Sequence, residues 1–79
     1  MDEWKSAKLP SGTKLFRVHN FNLIHSGVNY ILEVDEYSDG TFTGHGEHST
    51  DKNYVIQSVS ATSMKKCVEA LVQKIQDRH

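Results

Sequence analysis

Met64, Cys67, Val68, Leu71, Val72 and Ile75 fall at offsets of 0, 3, 4, 7, 8 and 11, which winds them into one stripe on a 3.6-residue helix. Lys65, Lys66, Glu69, Gln73, Lys74 and Asp77 fall among the remaining positions. Thr62 or Ser63 is placed to cap the free amides of the first turn, and Lys74 and Arg78 sit near the negative end of the helix dipole. A single helix of this length is marginal in water and has to bury its stripe against another element. The rest of the chain therefore has to supply a sheet.

The upstream sequence does so. Val28 to Asp35 alternates cleanly, with Val28, Tyr30, Leu32 and Val34 on one face. Ser38-Asp39-Gly40 carries turn chemistry and leads into Thr41 to His48, where Phe42, Gly44 and Gly46 share a face and leave room for a close neighbour. Tyr54 to Val59 is β-rich without a clean period. Thr13 to Ile24 reads as a further strand with a bulge, Phe16 and Val18 on one alternating set and Leu15, Phe21 and Leu23 on the other. The expected fold is α+β, an antiparallel meander of three to four strands with one C-terminal amphipathic helix on one face, in the order β-β-β-β-α.

With 79 residues there is room for one core, so residues 13–79 are expected to form a single domain behind a flexible N-terminal tail of residues 1–12. The 37% apolar and 24% charged fractions are those of a globular chain. Nine Lys plus Arg against ten Asp plus Glu give a formal charge of −1, so no long-range positive field draws in nucleic acid or an anionic membrane. The lone Cys67 cannot form a bridge within the chain, the N-terminus lacks the pattern of a secretory signal, and no apolar run approaches membrane-spanning length. These features point to a cytoplasmic protein with no membrane partner.

No catalytic residue, cofactor or metal ligand is assigned. His45-Gly46-Glu47-His48 has the right side chains for metal or proton chemistry, but on a strand His45 and Glu47 share a face while His48 points away. Cys67 lies in the apolar stripe, where a thiol packs as a small hydrophobe and its pKa should rise. Ser63, Lys65 and Lys66 have more logic as a contact, since free amides, the positive dipole end and two ammonium groups converge there on an anion such as a nucleic-acid phosphate.

Over residues 29–75, Ser63-Met64-Lys65-Lys66 with Ala70-Leu71 resembles the last helix of double-stranded-RNA-binding domains, whose opening Lys-Lys pair grips phosphates. The Asp39-Gly40 turn in an acidic hairpin, followed by a strand and a helix beginning near Thr62, is similar to HicB-like antitoxin domains. The first resemblance implies RNA contacts at Lys65 and Lys66; both imply a β-β-β-α plan.

One helix covers one face of a sheet and leaves the other open. Ile31, Tyr37, His45 and Ile56 on that open face are therefore the candidate partner surface, together with Trp4, since an exposed Trp in a polar tail is often a contact residue. The functional expectation is a non-enzymatic interaction module that binds a protein partner or forms a homodimer through the open face or an edge, with nucleic-acid binding at the helix start as the alternative.

Overall fold

The computed structural model describes residues 2–78. Its elements are a short 3₁₀ turn, Glu3–Ser6, then β1 (Phe16–His25), β2 (Val28–Tyr37), β3 (Phe42–His48), β4 (Val55–Ala61) and α1 (Met64–Asp77). The strands form one antiparallel sheet in the order β1-β2-β3-β4. This is the expected α+β meander with one C-terminal helix.

β1 and β2 pair without interruption from Phe16↔Tyr37 to His25↔Val28, so the bulge expected in the first strand is absent. Ser26 and Gly27 close this hairpin with φ of 52° and 78°. Two successive positive φ values define a type I′ turn, whose twist matches that of the flanking strands; glycine adopts the second without a Cβ clash. At the next turn Asp39 Oδ1 accepts hydrogen bonds from the Thr41 backbone N–H at 3.0 Å and the Thr41 hydroxyl at 2.7 Å. That local bonding fixes where β2 stops and β3 begins.

The helix begins where Ser63 Oγ accepts a hydrogen bond from the Lys66 N–H at 3.1 Å. Cys67, Leu71 and Ile75 are its fully buried residues, with Met64 and Val68 packed at the margin. They meet Tyr30, Leu32 and Val34 of β2, Phe42 of β3 and Ile56 of β4 to form the core. Gly44 allows the close approach: a Cβ there would lie 2.8 Å from Cys67 Sγ and 2.9 Å from Leu71 Cδ1. The alternate glycines of β3 thus let the helix sit close over the middle of the sheet.

Ile56 corrects the sequence expectation. It belongs to the core and is not part of the outward surface. The cause is a break in the β3–β4 register between Gly44 and Gly46, after which Ile56 pairs with Gly46 and fills the space that glycine leaves. A strand with a shifted ladder has no single period along its length, which is why its sequence lacked one.

Candidate functional site

The helix packs on β2, β3 and β4, and β1 lies beyond them at the sheet edge. Pairing fixes the direction of every β1 side chain: Phe16, Val18 and Ile24 share the open face with Tyr37, Asp35 and Asn29, while Phe21 and Leu23 share the helix side with Leu32 and Tyr30. Leu23 reaches the core cluster. Phe16, Val18, Phe21 and Ile24 are exposed, Ile24 to 74%. Natural edge strands are usually blunted by lysine, proline or a bulge. β1 has none of these, and Arg17 is its only side chain with a permanent charge.

On the open face, Ile31 is half-buried and lines a shallow cleft of 270 Å³ with Asn20, Glu33, His45, Gly46 and Glu47. Tyr37 stacks at a tilt against Phe16, with ring centroids 5.0 Å apart, and so belongs to the same surface as β1. His45 is exposed, and its Nε2 lies 3.3 Å from Asp35 Oδ2. His48 points elsewhere: its Nδ1 accepts hydrogen bonds from the backbone N–H groups of Thr50 and Asp51 at 3.2 and 2.9 Å, and its ring packs edge-on to Tyr30. The histidine run is thereby divided between a sheet face and a turn. The companion of His45 is the Glu33–Asp35 pair on the neighbouring strand.

Asp35 is buried to 5% exposure although its strand position faces outward. Its flanking cross-strand neighbours are Val18 on β1 and Thr43 on β3. Glu33 stands beside it, and the hydrogen bond between their carboxyl groups, followed by burial, pushes the Glu33 pKa above the ordinary carboxylate value.

Glu36, three positions along the same strand, is held the opposite way. Lys5 forms an ion pair with it, and His19 Nε2 lies 2.8 Å from its Oε1; these contacts, Lys5 first, hold its pKa below the ordinary value. Register places Glu36 on the helix side, opposite Arg17 and Phe42. Through Lys5 the N-terminal segment folds back to the sheet, and its neighbour Trp4 is half-buried with its indole Nε1 enclosed. Sequence reasoning placed Trp4 in a candidate surface and missed Glu36. The acidic run around it gave no sign of which carboxylate the N-terminal lysine would reach.

At the helix start, Ser63 Oγ is already engaged as the cap on Lys66 N–H, while the Lys65 and Lys66 side chains are exposed. Cys67 is enclosed beneath them, and burial together with the Asp35 charge pushes its thiol pKa up.

Comparisons with protein-family models, curated proteins and solved structures return no match. Among the described residues, no helix is long and apolar enough to cross a membrane.

Proposed function

We propose that the chain is a small interaction module that self-associates, β1 of one copy pairing antiparallel with β1 of a second. The observation that carries this reading is the exposure of Phe16, Val18, Phe21 and Ile24 on a ten-residue edge strand outside the helix's packing surface. A long apolar edge presents unpaired backbone groups and apolar side chains together, the combination that strand addition satisfies.

A second copy fits the chemistry better than a charged partner strand. β1 offers almost no charge by which such a partner would be addressed, and its sequence is self-complementary. A two-fold axis through Phe21 sets Phe21 against its own copy and Val18 against Ile24. His19 then meets Leu23, and no two permanent charges oppose one another. Such an interface is isologous and closes at two subunits. The paired sheet has eight strands, and its outer edges are the β4 strands.

Sedimentation equilibrium on the purified chain tests this. The expected result is a dimer that Val18→Lys with Ile24→Lys converts to monomer, since each lysine then faces another lysine. Val55→Lys, at the opposite edge, leaves the dimer intact. A monomer at every concentration, or dissociation by the β4 substitution alone, overturns the reading.

A further inference from the structure

Glu33, Asp35 and His45 each present a ligand atom on the open face, all within 4.8 Å of one another. Two come from alternate positions of β2, and the third is the direct cross-strand partner of Glu33 on β3. Strand pairing therefore builds the group on two rigid neighbouring strands.

A cluster of acids on a surface is ordinary, but Asp35 is not on the surface. Its side chain is only 8% accessible, and its Oδ1 is buried with no hydrogen-bond partner among the described residues. An orphaned buried carboxylate oxygen carries a substantial desolvation cost that a cation or a proton removes. The other oxygen, Oδ2, already faces His45 Nε2 at 3.3 Å. No lysine or arginine occupies an open-face strand position: β1 supplies Phe16, Val18, Asn20, Asn22 and Ile24 there, β3 supplies Thr43, His45 and Glu47, and β4 carries no basic residue at all. Three carboxylates, those of Glu33, Asp35 and Glu47, thus share a face without a permanent countercharge on the strands.

We propose that Glu33, Asp35 and His45 bind a divalent cation of the zinc class, with Glu47 or water completing the coordination. The donor set decides the class. One imidazole and two carboxylates suit a borderline ion such as Zn²⁺, whereas Mg²⁺ and Ca²⁺ favour oxygen-only sites. The site lies on the face that edge pairing through β1 leaves open, so it does not depend on self-association.

Calorimetric titration of chelator-treated protein with Zn²⁺, and separately with Mg²⁺, tests the proposal. The expected result is one Zn²⁺ per chain and no comparable uptake of Mg²⁺. Glu33→Gln and His45→Gln each weaken Zn²⁺ binding by about tenfold or more, the scale on which disturbing a metal site reads out. His48→Gln leaves it unchanged, because that ring serves the turn after β3. Asp35→Asn abolishes binding; should that variant fail to fold, the Glu33 and His45 variants decide alone. Absence of Zn²⁺ uptake, uptake insensitive to both variants, or equal loss in His48→Gln overturns the assignment.

Discussion

β1 and β2 are paired at ten successive positions and have similar lengths and apolar content, yet their side chains meet opposite fates. Five residues of β2 are buried, and none of β1 is. The difference is position: β2 has a strand on each side and a helix above it, whereas β1 has one neighbour and lies outside the helix's packing surface. Burial in so small a domain is set by how far a single helix reaches across the sheet. What lies beyond that reach stays exposed, as Phe16, Val18, Phe21 and Ile24 do.

The sharpest way to break this comparison is to cut an equivalent apolar group from each region. Leu71→Ala should cost about 2–5 kcal/mol, since Leu71 is fully enclosed and leaves a cavity. Ile24→Thr on β1 should change stability by no more than about 0.5 kcal/mol, as expected for an exposed side chain. Urea unfolding at a concentration low enough to hold the chain monomeric measures both. Equal costs would mean that β1 contributes to the core from a position the pairing does not show.

Next in size is Gly44→Ala. The added methyl meets Cys67 Sγ and Leu71 Cδ1 below 3 Å, and displacing the helix should cost about 1–3 kcal/mol in the same assay. Ser63→Ala should cost about 1 kcal/mol by removing the acceptor for the Lys66 N–H, and circular dichroism should show fraying of the first helical turn.

The smallest effect separates the two faces of β2 itself. Glu36, with its folded pKa lowered by Lys5 and His19, contributes stability that is present above the unfolded value of about 4.3 and lost as pH falls through the depressed folded pKa. Glu33, with its folded pKa raised chiefly by Asp35, behaves in reverse: its contribution is present below the unfolded value and lost as pH rises through the folded pKa. In urea midpoints taken from about pH 3 to 7, Glu36→Gln should lose part of the acid-side fall in stability, and Glu33→Gln should become relatively more stable toward neutrality. Identical pH profiles for the two variants would show that the carboxylates share one environment.

These contrasts also mark what the sequence could disclose. The helix stripe, β2 and the Asp39-Gly40 hairpin were legible because each keeps one period along its length and ends in residues suited to a turn. β4 was not, because the shifted ladder at Gly44 and Gly46 changes which residues face inward partway along, and Ile56 was assigned to the wrong face. The alternation did place Glu33, Asp35 and His45 on the outward face. It did not say that His45 would stand opposite Glu33, since that depends on cross-strand register, and alternation along the chain offered Glu47 as its companion instead. The Lys5–Glu36 ion pair joins segments with no local pattern between them and left no trace in the sequence.

The Ser26-Gly27 turn has a consequence for motion as well as for shape. β1 is joined to β2 by only those two residues and rests mainly on that one strand, so it can lift away while Cys67, Leu71 and Ile75 stay enclosed. Its amide hydrogens should exchange through this partial opening, at lower free energy than those of β2 and β3. A strand that opens in this way frees its backbone groups before the rest of the domain gives up any of its core.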